Sequence, residues 1–459
     1  MNQVKRRDFL NALGVTVGGA GLASAGVVAG TQVARADTAP KGNIPDKPFK
    51  TGHMTFLTSA AAVLGEPSLK GHIMAAEEIN AKGGLLGKRK IETITADEAA
   101  GTDANVKELR RMKLSENIDL FTGIISSGNT PALGPVAEEL GILTIFTDGC
   151  TDFLFDKAVP NPKYTFRITN IQSADGITAA IGAAQAWPNA KKIAHLHPDY
   201  SYGRNAAEHF TLAFERLVPG TEIVSESWPK LGTTDFTSHI TKILSSNPDL
   251  LYTSVWGGDY VAWYKQALRY GLFDKMKVAT TLAFGVAPHA LGKDHPEGVL
   301  AGVHSNYHFT YPGGNRWPEN AAFVKRYFER WKEYPNFQSE GAYVALYMLK
   351  TAIERANKLV GGWPEEEAII SQLEGLGYNA PSGYVYIRAD NHQGYKDAVT
   401  GFSKNLPDYP FPVFDPDRII TIPIRNITAP PNWPKPGQGH DESTAAANWI
   451  KTTWPKATA

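Results

Sequence analysis

Two short turns carry the polar atoms best placed to hold a small anion: Ser126-Ser127-Gly128-Asn129 and Asp148-Gly149-Cys150-Thr151. Each follows a short apolar run. At the carboxyl end of a parallel strand, free backbone N–H groups, aligned peptide dipoles and Ser or Thr hydroxyls converge on one point. Open α/β sheets bind small ligands in that crevice. The concrete form of the idea is a carboxylate held by Ser127 and Thr151. The same residue types also cap helices, and on spacing alone Ser127, Asn129 and Thr151 fit that role as well.

Other candidate chemistry is thinner. His195-Leu196-His197-Pro198-Asp199 places two histidines on one strand face, where they could share a metal. No second His/Asp group has ligand spacing, so they read as strand-end histidines and no metal or cofactor is expected. Ser126 and Ser127 lack the G-x-S-x-G setting of a hydrolase nucleophile. No phosphate loop or dinucleotide fingerprint follows a strand. Cys150 has no basic neighbour in its turn to lower its pKa, and reads as an inert small residue. The missing machinery favours binding over catalysis, with an exported enzyme as the competing class.

The elements that must position the two turns are legible from periodicity. Asp119–Ile125 and Ile142–Thr147 are β-branched, apolar runs without polar alternation, as for a parallel sheet covered on both faces. Between them Leu133, Val136, Ala137 and Leu140 form one apolar stripe of a helix, with Pro131 in its first turn. The pattern repeats on both sides, with a helix over Ser68–Lys82 ended by Gly83-Gly84, and strands at Met54–Thr58, Ile91–Ala96, Lys192–His197 and Asp249–Val255. Such repetition predicts an α/β protein of parallel sheets built from βαβ units.

With 459 residues, 42% of them hydrophobic, the chain is long enough for two domains. Lys+Arg and Asp+Glu both number 46, which offers no electrostatic case for nucleic acid. Lys5-Arg6-Arg7-Asp8-Phe9-Leu10 is a twin-arginine motif, followed by a weakly apolar run over Leu13–Gly30 and an Ala34-Arg35-Ala36 cleavage site. Removing residues 1–36 takes away four basic residues and one acidic, leaving 42 against 45. Cys150 is the one cysteine, so neither an intrachain disulfide nor lipid attachment near the cleavage site is expected. These features predict export through the twin-arginine translocase to a Gram-negative periplasm, as a soluble monomer.

Several stretches, in unbroken order over roughly residues 52–400, resemble the solute-binding proteins of branched-chain amino-acid-type ABC transporters. They include GHIMAAEEINAKGGLLGK (Gly71–Lys88), Gly123–Ser127, Pro135–Glu139, Asp148–Thr151, Tyr202-Gly203-Arg204, Thr234-Asp235-Phe236, Lys265-Gln266-Ala267 and Glu297-Gly298-Val299. The resemblance implies the type I periplasmic-binding fold, two Rossmann-like lobes on a three-segment hinge. The crossovers then fall near 168–171, 307–309 and 381–383. Lobe 1 takes residues 51–169 and 308–382, lobe 2 takes 170–307 and 383–405, residues 37–50 are a linker, and 406–459 form an extended Pro-rich tail.

The resemblance also implies roles. Ser127 and Thr151 hold a solute carboxylate and the Cys150 carbonyl takes a polar group, while Ser126 and Asn129 are further candidate ligand-binding residues of the first turn. Tyr202 covers the solute from lobe 2, with Trp256 as a second aromatic wall. Where the family usually presents an acid to an ammonium group, this chain has Thr281, leaving Asp148 or Asp259 to substitute. The expected function is capture of a hydrophobic amino acid, an aromatic or aliphatic carboxylate, or an amide by hinge closure, for delivery to an ABC permease. The alternative is a sensor on the same fold.

Overall fold

The computed structural model describes residues 16–17, 40–286, 288–304, 307–312, 317–431, 433 and 444–455. The twin-arginine motif and the cleavage site lie outside the described residues. In chain order the first elements are β1 (Thr16–Val17), β2 (Phe49–Thr55), α1 (Ala62–Ala81), β3 (Ile91–Asp97), α2 (Thr102–Leu114) and β4 (Leu120–Gly123). Next come α3 (Thr130–Leu140), β5 (Thr144–Phe146), β6 (Thr165–Arg167), α4 (Gln172–Ala186), β7 (Lys192–Leu196), α5 (Ser201–Leu217) and β8 (Glu222–Ser227). The middle adds α6 (Thr237–Ser245), β9 (Leu250–Thr253), α7 (Gly257–Arg269), α8 (Leu272–Lys275), β10 (Lys277–Thr280) and β11 (Leu300–Gly302). The rest is α9 (Pro318–Trp331), α10 (Phe337–Val360), α11 (Glu366–Leu373), β12 (Gly377–Ala380), β13 (Gly383–Ile387), β14 (Gly394–Tyr395), β15 (Ala398–Lys404), β16 (Val413–Ile422) and α12 (Ala445–Thr452).

Lobe 1 is a parallel sheet in the order β3-β2-β4-β5-β6. Strands β4, β5 and β6 are buried throughout and β2 nearly so, covered on both faces, whereas the edge strand β3 leaves Glu92 and Thr95 exposed. Neighbouring residues of β4 show the alternation: Leu120 joins one apolar cluster, with Leu64, Ile79 and Leu349, while Phe121 joins another, with Leu109, Met112 and Leu133. Helices α1 and α10 pack together on the first side, and α2 packs on α3 on the second.

Lobe 2 holds the sheet β1-β16-β15-β11-β10-β9-β7-β8, parallel from β11 to β8 and antiparallel at β15, β16 and β1. Helices α4 and α5 pack on each other beside it, burying Ile177, Ile181, Phe210 and Phe214.

Three sequence expectations are corrected. Residues 381–383 do not cross between lobes but turn the hairpin of β12 and β13, in which Ala380 pairs with Gly383. The third crossover runs from Gln393, bridged to Arg167 at the edge of lobe 1, to β15 in lobe 2. The stretch after 406 is not simply an extended wrap: β16 joins the lobe 2 sheet, and α12 buries Trp449 and Ile450 in the apolar cluster of that lobe. Its β-branched Ile419-Ile420-Thr421-Ile422 was the available signal. The expected linker is tied down too, with Ile44 buried and Lys41 N–H bonded to Asn357 Oδ1 at 3.1 Å.

Candidate functional site

The first turn is forced by backbone geometry. β4 ends on Gly123 at φ 104°, where a Cβ would lie 2.1 Å from the Met54 carbonyl oxygen, so no side chain fits. Ile124 follows at φ 66°, a conformation that strains a β-branched residue. Two contacts hold it there. The Ile124 N–H donates to the Met54 carbonyl at 2.7 Å, and the buried Glu98 carboxylate accepts the N–H groups of Ile125 and Ser126, both at 2.8 Å. The same carboxylate accepts Asn129 Nδ2 at 2.8 Å.

Part of the strand-end anion cradle is therefore filled by the protein's own carboxylate. Burial pushes the Glu98 carboxyl up to about 7, against the pull of its three hydrogen bonds. Asn129 does not cap α3; its Oδ1 accepts from Thr102 Oγ1 at 2.7 Å. Ser126 Oγ accepts the Gly128 N–H at 3.2 Å, a local turn bond. Ser127 is the member of this turn that lines the cavity between the lobes, its Oγ 3.7 Å from Cys150 Sγ.

The second turn is pinned from behind and from across the hinge. Arg167 Nη1 donates to the carbonyls of Gly149 and Thr151 at 2.6 and 2.8 Å, holding both away from the cavity. The Cys150 carbonyl accepts the Gln172 N–H at 2.9 Å, and its thiol donates to Gln172 Oε1 at 3.0 Å. Thr151 Oγ1 donates to Asn205 Oδ1 on α5 at 3.2 Å. The Thr151 side chain thus joins the lobes and is not among the residues that line the cavity.

A histidine completes the site. His304 follows β11 in the second crossover, with Nε2 3.0 Å from Asp148 Oδ1 and 3.0 Å from Thr169 Oγ1, and with Nδ1 bonded to Asp175 Oδ2. Burial disfavours the imidazolium, yet the carboxylates of Asp175 and Asp148 and the nearby Cys150 outweigh it and hold the imidazole pKa well above its ordinary value. Asp148 belongs to lobe 1 and Asp175 to α4 of lobe 2, so one ring bridges both lobes.

The cavity is walled by Tyr200, Tyr202 and Trp256 from lobe 2 and by Leu64, Ile125 and Ser127 from lobe 1. Trp256 Nε1 donates to Tyr200 Oη at 3.1 Å. Tyr202 is 3% exposed and its hydroxyl has no partner. The cavity measures about 20 Å³, close to the room one water needs and too small for a solute with a ring.

Other sequence candidates lie elsewhere. Thr281 shares a 2.7 Å hydrogen bond with Tyr252 Oη and is absent from the cavity lining. Asp259 accepts the Gly232 N–H at 2.8 Å and lines a separate groove. His195 and His197 bond each other at 2.8 Å, while Asp199 turns outward to Arg204. Sequence reading assigned no role to Glu98, Tyr200 or His304. Glu98 had a signal, an acid at a strand end facing the next turn, whereas His304 had none.

Two parallel-sheet lobes joined by three crossovers meet over a small cavity lined from both sides. Comparison with known proteins agrees. The chain belongs to the periplasmic binding protein family, which matches residues 48–401. It is 25% identical over 367 residues to a Leu/Ile/Val-binding protein homolog 7 of Brucella suis, covering 77% of this chain and 88% of that one.

Among solved structures it resembles an ABC-transporter solute-binding protein from R. palustris in complex with benzoate, with TM-score 0.69 and 20% identity, over 80% of this chain and 95% of that one. It equally resembles an amino acid ABC transporter substrate-binding protein from Pseudomonas fluorescens, with TM-score 0.69 and 20% identity, over 82% of this chain and 95% of that one. Family and fold thus agree on a two-lobed periplasmic binding protein. Among the described residues no helix is long and apolar enough to cross a membrane.

Proposed function

We propose that the protein captures a small aromatic carboxylate between its lobes and, as a monomer, presents it to the permease of an ABC importer. The observation that carries this reading is the buried, unpartnered hydroxyl of Tyr202 in a cavity walled by Tyr200 and Trp256. A buried hydroxyl without a partner costs free energy, and a solute oxygen relieves it. Ser127 Oγ lines the same space, and the two hydroxyls suit a carboxylate as donors.

An amino acid fits less well. Among the described residues, Asp148 is the sole carboxylate in the cavity lining, and its oxygens are engaged by His304 and Gln338. A buried ammonium without a counter-charge is expensive. The benzoate and 3,4-dihydroxybenzoic acid bound by two structural neighbours support the aromatic choice. Export runs through the twin-arginine translocase, with cleavage after Ala36.

A thermal-shift screen of benzoates, aliphatic acids, amides and amino acids tests the reading, since a ligand of the folded form stabilises by mass action. Shifts confined to aromatic acids support it. Shifts with branched-chain amino acids and none with benzoates refute it.

A further inference from the structure

The cavity contains a second chemistry that solute capture by hydrogen bonding does not use. Asp148, Cys150 and His304 are all buried, and their ligating atoms lie within 4.8 Å of one another. A carboxylate, a thiol and an imidazole are the donor set of a borderline-soft divalent cation, whereas magnesium and calcium take oxygen alone. His304 also has the outer partner that metal-bound histidines use. Its Nδ1 bonds the Asp175 carboxylate, which fixes the ring and turns Nε2 toward Asp148. The 3.0 Å between His304 Nε2 and Asp148 Oδ1 is close to the separation of two ligands on one tetrahedral ion.

Cys150 is the single cysteine of the chain, so no disulfide competes for it. Beside these three donors the cavity is lined by Ser127 and by Tyr202, whose hydroxyl has no partner among the described residues.

We infer that Asp148 Oδ1, Cys150 Sγ and His304 Nε2 form a site for a zinc-class divalent cation, with its fourth position open to the solute. On binding, the cation replaces the proton held between His304 and Asp148 and the thiol proton of Cys150, and both protons leave to solvent. Assigning the fourth position to the solute rests on the cavity being the solute site; the three protein ligands do not.

The test uses untagged, chelator-treated protein titrated with Zn²⁺ or Co²⁺ by calorimetry and absorbance, with Mg²⁺ as the contrast. One equivalent of Zn²⁺ or Co²⁺ is expected, with a thiolate-to-cobalt charge-transfer band and no response to Mg²⁺. Cys150→Ser abolishes the band. Asp175→Asn, which leaves all three ligands in place, weakens the cation by about 10–100-fold, and circular dichroism checks that both variants fold. Absence of stoichiometric binding in the unsubstituted protein overturns the site, as does an unchanged cobalt spectrum in Cys150→Ser. Titrating benzoate into chelator-treated and zinc-loaded protein separates the two readings. Cation binding without benzoate binding sinks only the aromatic solute, and benzoate binding without cation binding sinks only the metal.

Discussion

The hinge contains a buried ion pair whose removal should be felt by the whole protein. Lys396 lies in the third crossover and Glu340 on α10 of lobe 1, with side chains 1% and 0% exposed and a 2.7 Å contact between Nζ and Oε2. The other Glu340 oxygen accepts the Ser382 hydroxyl at 2.7 Å and its N–H at 3.3 Å. Lys396→Met keeps the apolar stem and deletes the charge, so the Glu340 carboxylate keeps only the two bonds from Ser382. An orphaned charge of this kind costs about 3–5 kcal/mol. Against a total stability of roughly 5–15 kcal/mol, that is a large fraction.

Urea unfolding followed by circular dichroism at pH 7.5 measures the loss. Adding Glu340→Gln to the variant removes the orphan charge while its amide oxygen still accepts from Ser382, and should restore stability to within about 1–2 kcal/mol of the starting protein. A loss below about 1 kcal/mol for Lys396→Met, or a double variant no more stable than the single one, would refute the reasoning.

Tyr202→Phe should leave unfolding unchanged while weakening an aromatic acid by about 1–2 kcal/mol in calorimetry, because the hydroxyl has no partner until the solute supplies one. Ser127→Ala should cost about 1–2 kcal/mol of solute affinity without unfolding the protein, since Ser127 lines the cavity; unchanged affinity would remove Ser127 from the site. The Glu98 carboxyl titrates near 7 in the folded chain against an ordinary 4.5, so its contribution is fully present below 4.5 and is lost as pH rises through 7. At 1.36 kcal/mol per unit this amounts to roughly 3 kcal/mol, and Glu98→Gln should flatten the stability profile across that window. Replacing Arg6 and Arg7 by Lys should block export, and normal periplasmic accumulation of that variant would contradict the twin-arginine reading.

What sequence made legible was local periodicity and turn chemistry. The runs around Leu120 and Ile145 announced buried parallel strands because both faces are apolar, and the two turns between them and the helices lie as spacing placed them. What it hid depends on long-range contact. Ser126 and Asn129 read as solute ligands, but which anion their turn would hold depended on Glu98, in a neighbouring strand-end segment. Thr151 shows the same limit, since its hydroxyl reaches Asn205, a residue fifty-four positions on. His304 was invisible because nothing nearby in sequence marks a crossover histidine that meets one aspartate from each lobe. The lobe 2 edge was missed because proline-rich flanks disguised β16.

The two turns play unequal parts in closure. The second is fastened to lobe 2 at its base by the bonds of Cys150 to Gln172, Thr151 to Asn205 and Asp152 Oδ2 to the Ser173 N–H, the last at 3.1 Å. Gln172 and Ser173 open α4 directly after the first crossover, and Asn205 lies on α5, which packs on α4. The first turn is held by Glu98 and Thr102, both within lobe 1. It faces Tyr200 and Trp256 across the cavity, near the backbone bridge from the Gly258 N–H to the Ala60 carbonyl at 3.2 Å. If the lobes part about the crossovers, that bridge and the aromatic wall are expected to separate while the bonds to Gln172 and Ser173 persist, which hydrogen exchange of the Gly258 and Ser173 amides checks. Closure follows if the solute gains more from Tyr202 and Trp256 than the open form gains from water, which is all that a shift between two states requires.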